Sequence, residues 1–145
     1  MVYSRCACSV LSAAVAAIVL VGAVASAQSN GEAKKPSLSL RVAPPVGFAQ
    51  LRTRLVVDVR GGDDDYADFY CPTIEWDWGD GTVSANSEDC DPYEQGKSSI
   101  RRRFSTEHVF RQAGSYRVSF RLKQKDRVVG SSTVNIQVRA GVSQF

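Results

Sequence analysis

The chain has 145 residues, room for one domain, and a formal net charge of +3. That modest charge, with no interleaving of aromatic and basic residues, argues against nucleic acid as a partner, even at Arg101-Arg102-Arg103. Catalysis has little support: there is a single histidine, His108, and no G-x-S-x-G nucleophile pattern.

In chain order, residues 1–27 read as a secretory signal. Arg5 is the only charge of a short leading region, an uncharged run extends from Cys6 to Ala27, and Ala25-Ser26-Ala27 forms a cleavage pattern before Gln28. The competing reading keeps the segment as a membrane anchor, because its apolar run approaches spanning length. Cleavage leaves no second apolar run and places the protein outside the cell, in the periplasm or at the cell surface. Residues 28–35 are polar and form a flexible lead. Residues 36–140 form the domain, and 141–145 a tail.

The domain is a series of short alternating segments separated by turns, the pattern of an all-β sandwich. Leu38, Leu40 and Val42 share one face; Pro44-Pro45 and Gly47 break that strand. Leu51, Thr53, Leu55, Val57 and Val59 share the next face, ended by Gly61-Gly62. Ile74, Trp76 and Trp78 point inward, as do Phe104, Thr106, His108 and Phe110. Tyr116, Val118, Phe120 and Leu122 follow, then Val134, Ile136 and Val138 as the last strand. No helical stretch is expected.

Signal cleavage leaves Cys71 and Cys90. In an exported domain two cysteines favour one disulfide. Two free thiols are the alternative; zinc is disfavoured by the single histidine and the lack of CxxC. If Asp80-Gly81 centres a hairpin, Trp78 opposes Val83, Trp76 opposes Ala85, Ile74 opposes Ser87, and Cys71 opposes Cys90. That register predicts a cross-strand disulfide on the outer face, beside Thr73, Glu75 and Asp77.

Trp76-Asp77-Trp78-Gly79-Asp80-Gly81, then His108-Val109-Phe110, then Gly114-Ser115-Tyr116-Arg117-Val118 occur in an order and spacing that resembles the PKD domain. The resemblance spans about Pro36 to Ala140. It implies an Ig-like antiparallel β-sandwich and a non-catalytic module contacting proteins or carbohydrates at cell surfaces. The segment Val83–Arg103 is longer than in that family, so the disulfide is a local addition. The motif residues have structural readings. The two tryptophans supply buried area, Asp80 satisfies turn donors, and Tyr116 after Gly114 resembles a tyrosine corner.

Three features carry functional expectations. Tyr66, Phe69, Tyr70 and Tyr93 flank the cysteines and are candidate contacts for a sugar or a protein, with Phe69 and Tyr70 alternatively capping the core. Asp63, Asp65 and Asp68 are candidate calcium ligands, although an Asp-rich sandwich loop is ordinarily just solvated. Acidic residues concentrate between Asp58 and Glu94 and basic ones from Lys97 onward. This polarity suggests an alternative role in a surface or matrix assembly through self-association; the competing reading is that these charges pair within the fold.

Overall fold

The computed structural model describes residues 32–141. The signal segment, residues 28–31 of the lead and most of the tail lie outside them. The described residues form eight strands: β1 (Ser37–Ala43), β2 (Val46–Phe48), β3 (Leu51–Arg60), β4 (Thr73–Asp77), β5 (Val83–Asn86), β6 (Arg103–Phe110), β7 (Gly114–Gln124) and β8 (Arg127–Arg139). They form a three-stranded sheet, β1-β3-β6, and a five-stranded sheet, β2-β8-β7-β4-β5. All pairings are antiparallel except that of β2 with β8.

Alternation decides which side of each strand is buried. Leu55, Val57, Phe104 and Phe110 enter the core from one sheet, and Trp76, Val118, Phe120, Leu122 and Ile136 from the other. The sheets meet where Phe104 packs against Phe120, ring centroids 5.5 Å apart. Tyr116 completes the corner: its hydroxyl donates to the Gln112 carbonyl at 2.8 Å. The result is an all-β sandwich of a three-stranded and a five-stranded sheet.

Several expectations change. The β4–β5 hairpin is offset by one residue: Trp76 opposes Ser84 and Ile74 opposes Asn86. The cause is a wider turn. The Trp78 amide donates to the Thr82 carbonyl at 3.1 Å. Asp77 Oδ1 accepts the Gly79 amide, and Asp80 Oδ1 accepts the Thr82 amide. Two aspartates thus close a loop one residue longer than a two-residue Asp-Gly turn. The last strand begins earlier than expected, at Arg127, and pairs with β7 through a register shift at Leu122/Lys123. One helical element does occur, a 3-10 turn at Ala67–Phe69. It seats Phe69 in the core at 2% exposure.

Candidate functional site

The Trp-Asp-Trp-Gly-Asp-Gly motif builds a compact polar-aromatic cluster. Trp76 and Trp78 stack, centroids 5.5 Å apart, and His108 stacks on Trp78. His108 reaches across from β6, where it is half-buried, and its Nε2 lies 2.8 Å from Asp80 Oδ2. Burial acts to raise the Asp80 pKa, but bonds from Thr82 and His108 outweigh it and hold the carboxyl below its ordinary value. The Trp78 indole nitrogen donates to Ser84 Oγ at 2.9 Å. Gly79 and Gly81 carry φ of 73° and 89°, which the turn requires. Every motif side chain therefore has a structural partner within the fold.

The disulfide joins Cys71 to Cys90 with Cα atoms 6.2 Å apart. The pairing is as expected, but its position is not. β4 starts at Thr73 and β5 ends at Asn86, so the bridge links two loops beyond the ladder and is not a cross-strand pair. The one-residue offset removes Cys71 and Cys90 from register, and Cys71 adopts φ 46°, outside strand geometry.

The bridge is one of several fastenings that lay the segment 87–100 onto the acidic loop 63–71. Tyr93 donates its hydroxyl to the Asp65 carbonyl at 2.7 Å. The Gly96 amide donates to Asp65 Oδ2 at 2.9 Å, and the Ile100 amide to the Asp64 carbonyl at 2.7 Å. Tyr70 donates to the Asp91 carbonyl at 3.0 Å. The rings of Tyr70 and Tyr93 lie 5.6 Å apart at 59°. Burial, followed by the Asp65 charge, raises the Tyr93 pKa, so its hydroxyl stays protonated as a donor.

Beside Tyr70 is a surface cavity of about 420 Å³ lined by Asp91, Pro92, Glu94, Lys97 and Ser98. Sequence reading missed Lys97, Ser98 and Pro92, which belong to the site only because the loop folds back. A turn at Glu94–Ser98, closed by Ser98 Oγ accepting the Glu94 amide at 2.8 Å, places them there.

The four aromatic candidates separate. Tyr70 and Tyr93 lie together, their rings tilted at 59°. Tyr66 packs edge-on against Phe69 at 5.3 Å. Phe69 is withdrawn as a contact because it is buried under Gly130 and Leu38.

The three candidate calcium ligands also separate. Asp63 accepts the Lys34 amide at 2.6 Å, Asp65 holds Gly96, and Asp68 pairs with Arg127 at 2.7 Å. Among the described residues no group of three or more His, Cys, Asp or Glu side chains is arranged to hold a metal ion. The set expected from sequence is thus not assembled.

Part of the charge polarity along the chain is resolved by ion pairs in space. Asp58 pairs with Arg41 and Arg103, Asp64 with Arg102, and Glu88 with Arg101. Glu75 receives Lys123 and Arg121 at 3.0 and 2.9 Å. Hydrogen bonds from Arg103 hold the Asp58 pKa below its ordinary value, and those from Lys123 and Arg121 do the same for Glu75. Asp58 and Glu75 meet their partners across neighbouring strands, while Asp64–Arg102 and Glu88–Arg101 join loops.

No family model and no curated protein matches the chain. Among solved structures it is similar to the PKD domain of an M14-like peptidase from Thermoplasmatales archaeon SCGC AB-540-F20, at 15% identity over 73% of this chain and 98% of that one, with a TM-score of 0.48. It is also similar to a CARDB domain from Pyrococcus furiosus solved with di-metal ions, at 15% identity, 74% and 90% coverage and a TM-score of 0.46. A superoxide reductase (neelaredoxin) from Ignicoccus hospitalis follows at 12% identity, 77% and 87% coverage and a TM-score of 0.42. No helix among the described residues is long and apolar enough to cross a membrane.

Proposed function

We propose that the chain is an exported, non-catalytic interaction module that contacts a protein or carbohydrate at the cell surface through the Tyr70–Tyr93 platform. The observation that carries this reading is the docking of segment 87–100. A disulfide and four hydrogen bonds hold two neighbouring tyrosine rings, Tyr70 of them lining a cavity with two carboxylates, the Lys97 ammonium paired with Glu94, and hydroxyls. Aromatic faces next to such polar groups suit a sugar ring or a protein loop. Fixing the rings in advance lowers the ordering cost of binding.

Export is supported by the signal-like residues 1–27 and by the disulfide, which persists in oxidising compartments. A non-catalytic role is supported by the state of His108, whose Nε2 is committed to Asp80 and whose face is covered by Trp78. The assembly alternative loses part of its support, because several of the opposite charges it relies on pair internally.

The test is capture by the immobilised, oxidised protein from an envelope extract of its own host, alongside a Tyr93→Ala variant. Recovery of one polysaccharide or protein that the variant fails to retain is the expected result. Equal recovery by both would remove the platform from the interaction, and recovery of the protein alone would return the assembly reading.

A further inference from the structure

Among the described residues β6 is the outer strand of its sheet and pairs only with β3. One bond fixes which of its backbone groups are free. The Val59 amide donates to the Arg102 carbonyl at 2.9 Å, and bonded pairs alternate along an antiparallel ladder. In this register Phe104, Thr106, His108 and Phe110 direct their amides and carbonyls to β3. Arg103, Ser105, Glu107 and Val109 therefore direct theirs outward. The Arg103 carbonyl agrees, since it accepts the side chain of Arg101 at 3.0 Å; that carbonyl is thus already occupied, and the open ones begin at Ser105. The same reasoning from the Trp78–Thr82 bond turns Val83 and Ala85 of β5 outward, at the edge of the opposite sheet.

Two cavities follow the free edge of β6 in succession. The first, about 230 Å³, lies between β5 and β6 and is floored by Ile74, Trp76 and Phe104. The second, about 670 Å³, continues along Glu107–Gln112, with Arg52 and Arg111 among its lining residues and the Asp80–His108 pair beside them. Arg111 has no ion-pair partner among the described residues, and Arg52 reaches Glu107 at only 3.6 Å. The groove thus has apolar side chains on its floor at one end, where the Arg101 guanidinium also lies over Phe104, and offers two further guanidinium groups at the other.

Building on the interaction-module reading, we propose that the free edge of β6 accepts an extended segment of a partner protein as an added strand. An apolar side chain of that segment sits over Ile74, Trp76 and Phe104, and an acidic one meets Arg52 and Arg111. Outward backbone groups at strand spacing are matched by another strand, which supplies affinity through main-chain bonds, while the two cavities select side chains. At about 3.3 Å per residue, the two selected side chains lie roughly four to six residues apart.

The probe is a random dodecapeptide library displayed on phage, selected on the full oxidised chain. Enriched peptides are expected to share an acidic residue at that spacing from an apolar one. A synthetic representative is then titrated by fluorescence anisotropy. Ser105→Pro removes an outward amide without touching the β3 ladder, and Arg111→Glu reverses the charge; each should weaken binding by about tenfold or more. Circular dichroism checks the fold of Ser105→Pro, and Arg111→Glu, in the β6–β7 turn, carries the test if the proline variant does not fold. No enrichment, or equal binding by all three proteins, overturns the proposal. So does a concentration-dependent dimer in sedimentation that Ser105→Pro abolishes, which would assign the edge to a second copy. Peptide binding that survives Tyr93→Ala, beside extract capture that does not, separates the fate of this edge from that of the tyrosine platform.

Discussion

The imidazole of His108 lies flat on the indole of Trp78, with centroids 4.1 Å and planes 6° apart, while its Nε2 is held by Asp80. One residue of β6 thereby ties the three-stranded sheet to the β4–β5 turn of the other sheet. His108→Ala is expected to cost about 2–3 kcal/mol, summing a lost ring contact and a charge-assisted hydrogen bond. Urea denaturation reads this as a lower midpoint at unchanged slope. A loss below about 0.5 kcal/mol would show that the tie does not bear on stability.

The same turn separates two glycines that look alike in sequence. A Cβ on Gly79 would come within 2.6 Å of the Arg117 carbonyl oxygen, whereas one on Gly81 would meet nothing within 4 Å. Gly81→Ala should cost about 1 kcal/mol, from left-handed strain alone. Gly79→Ala adds a backbone clash and should cost at least about 2 kcal/mol. Equal losses would contradict the close approach to Arg117.

Thr53 is fully buried, and its hydroxyl has no hydrogen-bond partner among the described residues. Its β-branched shape fits strand β3, so Thr53→Val keeps the shape and removes the orphaned group. We expect a gain of about 1 kcal/mol. Thermal unfolding of the two proteins checks the sign, and a destabilised valine variant would mean that the hydroxyl is satisfied.

Reduction of Cys71–Cys90 should lower stability by about 3 kcal/mol, the chain-entropy value for a closed loop of this size. Because the bridge lies outside the ladder, far-UV circular dichroism of the reduced protein should remain that of a β-sandwich. The tyrosine signal in near-UV should change as the Tyr70–Tyr93 contact loosens. Loss of all sheet structure on reduction would place the bridge in the core.

Glu75 and Asp58 have pKa values below the ordinary range in the folded protein. For carboxyls shifted this way, the contribution is fully present above the unfolded value of about 4 and is lost as pH falls through the folded value. Stability should therefore decline below about pH 4, and Glu75→Gln should flatten that decline. A Glu75→Gln protein with an unaltered acid profile would show that Lys123 and Arg121 are too solvated to matter.

Strand identity was legible where alternation is strict, as in Leu51–Val59 and Tyr116–Leu122, because burial on one face demands a period of two. Tyr116 and Asp80 were legible because each role depends on local chemistry. The hairpin register was not: Asp-Gly signals a turn, but Asp77 capping Gly79 lengthens it, and that bond exists only after folding. The start of β8 at Arg127 was hidden by a weak pattern, since Val128 is exposed at 49%. Charge pairing and the groove along β6 depend on strand order, which no local pattern encodes. The tyrosine platform was half legible. The cysteines marked the neighbourhood, but Phe69 and Tyr70 are adjacent in sequence and face opposite environments.

Residues 79–97 are all exposed, and within this run the stretch after β5 is fastened mainly to another loop. Its anchors are one covalent bridge and a few hydrogen bonds, of which those within the stretch rest on the Tyr93 hydroxyl, Gly96 and Ser98. Sequence between Cys90 and Ser99 can therefore be exchanged, with Tyr93, Gly96 and Ser98 kept, without entering the folding problem of the sandwich. The molecule separates what must be conserved for assembly from what is open to diversification, and grafted loops would find a ready-made socket there.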